Sequence, residues 1–310
     1  MTEYLSKKLR GELGSILNLL DERLNKIKVS DSMSNEGNET SGLLTKCREI
    51  TQAYDLAKPK LRVIQHLACS GGTLISKCIG AQANVHILSE AHPTSDLAIR
   101  DTPSFSPTDL AALTKYAHIP DVNDLLKKLF NKNVIEINQH IDDRGGTLVV
   151  RYHTHTDYHV GEGSVEVSSF DTMFSSQCEV LSVLTIRNPI DAYSSLKTNG
   201  WIHFSPPTFD EYCKRYLQHL SDLDNSSVFR YEDFVEDPKS TMTKICQALD
   251  ITYDESFIDT FSLIKLTGDS GRKSSVISKR DRRADKELLS EVSKSENFNK
   301  IRELGWYESN

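Results

Sequence analysis

The chain has 310 residues, of which 38% are hydrophobic and 26% charged, and this composition is typical of one large α/β domain with an extension or of two small domains. The net charge of −7 argues against a nucleic-acid partner, and no apolar run reaches the roughly 20 residues that a membrane span needs. The six scattered cysteines form no CxxC pair and the N-terminus lacks a secretory signal, so we expect a cytoplasmic protein with reduced thiols and no zinc site.

The N-terminal region, 1–58, is predicted to be a helical extension. Leucines recur at steps of three and four from residue 1 to about 28, which predicts an amphipathic helix that either packs on the rest of the chain or forms a homodimer with a second copy. Residues 29–42 are polar and aperiodic and predict a linker. Residues 43–57 return to helical spacing, and Pro59 marks the start of a main domain at 59–310.

The main domain opens on a strand, a glycine-rich turn and a helix. Residues 61–68 are mostly apolar and predict a buried strand, and residues 73–83 are apolar at helical spacing. Ser70-Gly71-Gly72-Thr73 lies between them, and Val85–Leu88 predicts a second strand that leads to Glu90. Glycines and the free amides of a helix start favour an anion at this turn. A plain strand–turn–helix junction would give the same pattern.

Further strands and helices alternate along the chain. Thr147–Tyr152 predicts a strand, with His153, His155 and His159 at or beyond its carboxyl end. Cys178–Ile186 predicts another buried strand, followed at once by Arg187 and a helix. The remaining predictions are a loop to 107, helices from 109 and at 122–140, a loop at 200–207, a helix at 209–223, a strand at 227–231, a helix at 240–249, a basic loop at 267–274 and a final helix. The alternation predicts a three-layer α/β fold with a central, mostly parallel sheet flanked by helices.

The glycine turn lacks the lysine of the P-loop motif G-x-x-x-x-G-K-[ST], and the chain contains no G-x-G-x-x-G. A P-loop-like fold without that lysine, with an arginine after a strand and a late basic loop, resembles the sulfotransferases. These enzymes use 3′-phosphoadenosine 5′-phosphosulfate (PAPS) as the sulfuryl donor. The resemblance therefore implies the P-loop NTPase-like sulfotransferase fold for this chain.

Four segments between about 60 and 300 carry the resemblance, in the order that the family has them. Cys69-Ser70-Gly71-Gly72-Thr73-Leu74 resembles the 5′-phosphosulfate loop, although Gly72 replaces a threonine. Arg187-Asn188-Pro189 with Ser195 is similar to the motif that holds the 3′-phosphate. Arg230-Tyr231-Glu232-Asp233 resembles a segment whose tyrosine lies near the adenine. Arg272-Lys273-Ser274 is similar to the late basic loop that closes on the 3′-phosphate.

The resemblance implies sulfuryl transfer from PAPS to a hydroxyl or amine, with 3′,5′-ADP as the product and no metal required. The polar run at 152–159 favours a carbohydrate or a small-metabolite acceptor. Glu90 resembles in position the catalytic glutamate of tyrosylprotein-type enzymes. His153, in Arg151-Tyr152-His153, resembles the base of the cytosolic enzymes, and His155 lies in the same run. Glu90 is the preferred base because its spacing from the glycine turn agrees without a gap.

Cys69 departs from the family, which has Lys or Arg at this position. That residue neutralises the oxygen that leaves with the phosphate, and a cysteine cannot supply a positive charge. We hypothesise that Arg151 supplies it from a neighbouring strand end, since Lys77 lies a full helical turn further along. The alternatives are a P-loop-type nucleotide kinase and a non-catalytic nucleotide-binding protein.

Overall fold

The structure is a computed structural model that describes residues 58–95, 108–162, 169–222, 226–268, 276–278 and 285–307, together with residues 42, 45 and 48. The elements below belong to the second of the chain's two compact units, Lys58–Asn310. The helices and linker predicted at 1–58 lie outside the described residues apart from those three positions and Lys58, and so do Arg272, Lys273 and Ser274. The assignment of the extension stays a prediction.

Five strands form one sheet: β1 (Lys60–His66), β2 (Val85–Ala91), β3 (Thr147–Tyr152), β5 (Glu179–Ile186) and β7 (Ser227–Arg230). Their order across the sheet is β2-β3-β1-β5-β7, and every neighbouring pair is parallel. In the centre, Val63 of β1 is in register with Val150 of β3, and Ile64 is in register with Val183 of β5. The centres of these strands are apolar and fully buried because helices cover both faces of the sheet. The predicted α/β class with a parallel sheet is confirmed.

Helices cover the two faces of the sheet. They are α1 (Gly72–Gly80), α2 (Leu110–Tyr116), α3 (Val122–Asp142), α4 (His155–Tyr158), α5 (Phe170–Phe174), α6 (Pro189–Asn199), α7 (Phe209–Ser221), α8 (Tyr231–Glu236), α9 (Pro238–Ala248), α10 (Phe257–Thr260), α11 (Lys286–Lys294) and α12 (Glu296–Glu303). Ile64 packs with Ile75 of α1 on one face, whereas its neighbour Val63 packs with Val134 of α3 on the other. Adjacent residues of a strand point to opposite faces, so this alternation produces the three predicted layers.

One prediction was wrong in detail. The loop predicted at 200–207 contains a strand, β6 (His203–Ser205), which pairs in parallel with β4 (Val160–Glu162). Each of these strands has three residues, which is too short for an alternating pattern to be recognised, and their pairing joins segments about forty residues apart in the chain. Within the described ranges, no helix is both long and apolar enough to cross a bilayer.

Candidate active site

The turn after β1 presents open backbone amides. Gly71 adopts the left-handed conformation with φ of 85°, and α1 begins at the next residue without an acidic side chain in its first turn. The amides of Leu74 and Ile75 donate to the carbonyl of Gly71. Those of Gly71, Gly72 and Thr73 have no hydrogen-bond acceptor in the described part of the chain. Three such amides at the positive end of a helix make a binding site for an anion.

Two glycines let this turn lie directly on two rings. A Cβ on Gly71 would overlap the ring of Tyr231, and a Cβ on Gly72 would overlap the ring of His66. His66 therefore occupies the space that a threonine side chain would need, which explains the glycine at 72. Ser70, which is also buried, donates its hydroxyl to the carbonyl of Leu67 at 2.7 Å and so closes the turn.

Arg187 joins the turn to the end of β5. Its Nη1 donates to the carbonyl of Cys69 at 3.0 Å, and its Cζ lies 5.1 Å from the centre of the Tyr231 ring. Arg187 is 9% exposed, so its guanidinium is positioned by contacts within the protein and is largely shielded from solvent. The structure thus brings together the turn, Arg187 and Tyr231, and their role in binding a cofactor stays a prediction. Ser195 lies two turns along α6, where its hydroxyl donates to the carbonyl of Asp191 at 2.9 Å.

Arg151, at the end of β3, connects the turn to Glu90. Its Nη2 donates to the Thr73 hydroxyl at 2.9 Å, and its Nη1 lies 2.6 Å from Glu90 Oε1. Its Nε donates to His66 Nε2 at 2.8 Å, so the single proton of that ring is on Nδ1, which faces the carbonyl of Leu67. Burial, together with the charge of Arg151, lowers the pKa of His66 to about 4. His66 is therefore a neutral acceptor that helps to orient the guanidinium.

Glu90 is placed by a β-bulge. Ser89 pairs with Arg151 and Ala91 with Tyr152, so Glu90 is an extra residue between them, and its φ of 59° is left-handed. A left-handed conformation of a non-glycine residue costs of order 1–3 kcal/mol and persists only where neighbours fix it. The bulge turns the carboxylate towards the end of β3, where Oε2 hydrogen-bonds to His153 Nδ1 and Oε1 pairs with Arg151.

The carboxyl of Glu90 is ionised at neutral pH. Burial would raise its pKa, but the hydrogen bond from His153 and the charge of Arg151 outweigh burial and lower the pKa to about 2. His153 Nδ1 is then the donor in this hydrogen bond, and in the neutral tautomer of the ring Nε2 carries the lone pair. The two base candidates from the sequence are therefore one hydrogen-bonded pair, in which Glu90 does not use the Nε2 atom of the histidine.

A row of imidazoles continues from His153. The ring centre of His155 lies 5.9 Å from that of His153, 5.2 Å from His159 and 5.6 Å from His203. Burial and the neighbouring histidines lower the pKa of His155 to about 4, so this side chain is neutral at physiological pH. Among the described residues, no group of three or more side chains could hold a metal ion.

Cys69 has the left-handed φ of 65°. Its thiol accepts a hydrogen bond from Asn199 Nδ2 at 3.7 Å. Arg151 brings a positive charge to the start of α1, since its Nη2 donates to the Thr73 hydroxyl, and the hypothesis that this arginine takes the place of the missing lysine stays a prediction. His66 was not singled out from the sequence, although a polar residue ending an apolar strand is a usable signal.

No protein-family model and no curated protein matches the sequence. Several solved structures are similar to the chain. The sulfotransferase domain from the curacin biosynthetic pathway is 15% identical, with 82% of this chain and 100% of that chain covered and a TM-score of 0.49. The sulfotransferase domain from the Synechococcus PCC 7002 olefin synthase is 15% identical over 83% and 98%, with a TM-score of 0.46. Mouse sulfotransferase SULT7A1 complexed with PAP is 12% identical over 78% and 88%, with a TM-score of 0.36. All three of these structures are sulfotransferases, and the chain is similar to them in fold.

Proposed function

We propose that this protein transfers a sulfuryl group from PAPS to a hydroxyl or amine of a carbohydrate or small-metabolite acceptor and releases 3′,5′-ADP. One observation carries the proposal: an open anion-binding turn, a buried Arg187 and the hydrogen-bonded array of Arg151, Glu90 and His153 meet at the carboxyl ends of four parallel strands. Ligands of open parallel sheets bind at this edge.

The residues at this edge fit the two anionic ends of PAPS. The amides of Gly71, Gly72 and Thr73 suit the phosphosulfate, because they lack acceptors in the described residues and lie at the positive end of α1. Arg187 suits the 3′-phosphate, and the ring of Tyr231 beside it offers a surface for the adenine. Bound PAPS would supply an activated sulfuryl group on a phosphate leaving group. Contacts from Ser195, Arg272, Lys273 and Ser274 are proposed from the sequence alone.

In the proposed reaction His153 is the base. Its Nε2 takes the proton of the acceptor, while Glu90 holds Nδ1 and stabilises the imidazolium that forms. Both oxygens of Glu90 are engaged and its pKa is about 2, so Glu90 itself is a weak proton acceptor. Arg151 donates to Thr73 at the start of α1 and places its positive charge beside the turn. His155 borders the base and is proposed to line the acceptor site.

The binding of 3′,5′-ADP, measured by isothermal titration calorimetry without magnesium, tests the proposal. The wild-type protein should bind it, and Arg187→Ala should bind it about 100-fold more weakly. Arg62→Ala is the matched control, because this guanidinium is also largely buried but lies at the other end of β1 with Asp250. A radiolabelled-PAPS assay against a panel of sugars and phenols should then show transfer. Magnesium-dependent binding and hydrolysis of ATP would instead identify a nucleotide kinase, and absence of binding to either nucleotide would refute both activities.

A further inference from the structure

A two-residue segment far along the chain crosses the end of β2. We call Thr267–Gly268 the crossing segment. The Thr267 hydroxyl donates to the carbonyl of Ser89 at 2.8 Å, and the Ser89 hydroxyl donates to the carbonyl of Thr267 at 3.0 Å. This reciprocal pair of hydrogen bonds joins residues that are 178 positions apart in the chain. It attaches the crossing segment to the residue that immediately precedes the bulge at Glu90.

The crossing segment also contacts the array itself. Arg151 Nη1 donates to the carbonyl of Thr267 at 3.2 Å and to the Ser89 hydroxyl at 3.0 Å. Gly268, with a φ of 68°, lies so close to Glu90 that a Cβ at this position would overlap the Glu90 carboxyl group. The guanidinium and the carboxylate are thus both bounded by the crossing segment.

We propose that Thr267, Gly268 and Ser89 are positioning residues that hold Arg151 and Glu90 in the geometry needed by the base. The proposal rests on the proposed function. Glu90 has a left-handed backbone that only its surroundings can maintain, and a guanidinium with five N–H donors has a single orientation only if enough acceptors fix it. The crossing segment supplies a carbonyl acceptor for the guanidinium, and Gly268 leaves the space for the carboxylate.

The substitution Gly268→Ala tests the spatial requirement. Its methyl group would displace the carboxyl of Glu90, and its backbone would be strained by the positive φ. Gly145→Ala is the matched control, because Gly145 has a similar φ of 72° but nothing within 4 Å of the added methyl group. Both variants therefore carry the backbone strain, and only Gly268→Ala disturbs Glu90.

Proton and nitrogen-15 NMR of the His153 ring at pH 7.5, with the signals assigned through His153→Gln, reads the geometry without any turnover. In the wild-type protein and in Gly145→Ala the proton on Nδ1 should be shifted downfield by its hydrogen bond to Glu90. In Gly268→Ala this downfield shift should be lost, because the displaced carboxylate no longer meets the ring. Equal His153 spectra in the two alanine variants would overturn the proposal, whether or not the protein transfers sulfuryl groups.

Turnover gives the second readout. In Gly268→Ala kcat should fall at least about tenfold relative to Gly145→Ala, with little change in the Kd of 3′,5′-ADP, because a small displacement of catalytic groups is costly. Thr267→Val should lower kcat in the same way, and Thr267→Ser, which keeps the hydroxyl, should restore it. Equal kcat values for Thr267→Val and the wild type would exclude the threonine hydroxyl from the positioning role. If the wild type shows no transfer, the proposed function fails, while the NMR comparison at pH 7.5 still decides the positioning role.

Discussion

Acidification should unfold this protein at a pH where most carboxylates are still ionised. Three buried histidines and the half-buried His155 are neutral at physiological pH, and burial is the main cause of the lowered pKa in each: His66 and His155 to about 4, His219 to about 3, and His159 well below the ordinary value. His159 and His219 have no partner for either ring nitrogen within the described residues. Protonation of any of these rings in the folded protein would bury an uncompensated charge.

The size of the effect follows from linkage. In the unfolded chain each histidine protonates near pH 6.5, whereas in the folded protein it stays neutral to about pH 4 or below, so unfolding takes up a proton between these values. Stability is therefore full above about pH 6.5 and falls as the pH decreases. From pH 7 to 5.5 the loss is about 1.2 kcal/mol for each histidine, or roughly 5 kcal/mol for four, which is comparable with the whole stability of many domains.

Carboxyl groups change the predicted loss of stability between pH 7 and 5.5 only slightly. Burial raises the pKa of Asp171 and of Glu232, so these two bind protons in the folded protein first and oppose part of the loss. Glu90, with its pKa of about 2, contributes stability that is present above about pH 4.5 and lost only as the pH falls towards 2. The histidines therefore dominate between pH 7 and 5.5.

Urea denaturation, followed by circular dichroism at half-unit steps from pH 7 to 5.5, measures how the free energy of unfolding changes with pH. His219→Phe is the informative variant, because this ring packs against Tyr158 and lies outside the proposed site. Unfolding of this variant takes up one proton fewer than unfolding of the wild type. The free energy of unfolding should therefore fall less steeply with decreasing pH, by about 1.4 kcal/mol per pH unit where the dependence is steepest. A free energy of unfolding that stays constant over this interval, or equal slopes in the variant and the wild type, would refute the reasoning.

Three further predictions concern the site. Arg187→Ala should weaken the binding of 3′,5′-ADP about 100-fold and Arg187→Lys should weaken it by less, as measured by calorimetry. The alanine loses the charge-assisted contact to the 3′-phosphate and the packing of the guanidinium on the Tyr231 ring, whereas the lysine keeps the charge. His153→Gln should lower kcat about 10³-fold and Glu90→Gln about tenfold to 100-fold, and the reverse order in steady-state assays would make Glu90 the base. Arg151→Ala should lower kcat at least about 100-fold, and the added Cys69→Lys should restore part of it; near wild-type turnover of Arg151→Ala would remove the charge hypothesis.

The groups that meet at the carboxyl edge could be predicted because they follow directly on strands. Parallel strands all end at the same edge, so the residues after β1, β5 and β7 must come together whatever the details of packing. For this reason the sequence already indicates one edge for the turn, Arg187 and Tyr231, which lie together in the structure. The alternating strands and helices were recognised for a similar reason, since each long element carries its own hydrophobic period.

The geometry of the base could not be predicted because it depends on pairing between distant strands. Glu90 reads in the sequence as the last residue of a strand, and only the shifted register against β3 shows that it is a bulge. The same holds for the crossing segment, whose bonds to Ser89 span 178 positions and leave no local pattern. From the sequence Glu90 and His153 are therefore two alternative candidates for the base, whereas in the structure a hydrogen bond joins their side chains.

The replacement of a loop lysine by a strand-end arginine changes how charge is managed in the proposed reaction. Arg151 is 4% exposed and already bonded to His66, Ser89 and Thr73, so its charge is fixed before any cofactor binds, and such preorganisation favours catalysis. Glu90 pairs with Arg151 through Oε1 and with His153 through Oε2. When His153 takes the proton, the array gains one positive charge, and it does so as the leaving phosphate gains a negative one. We therefore propose that Arg151 serves in place of the loop lysine, because it holds a fixed positive charge beside the turn while its pairing with Glu90 keeps it in one orientation.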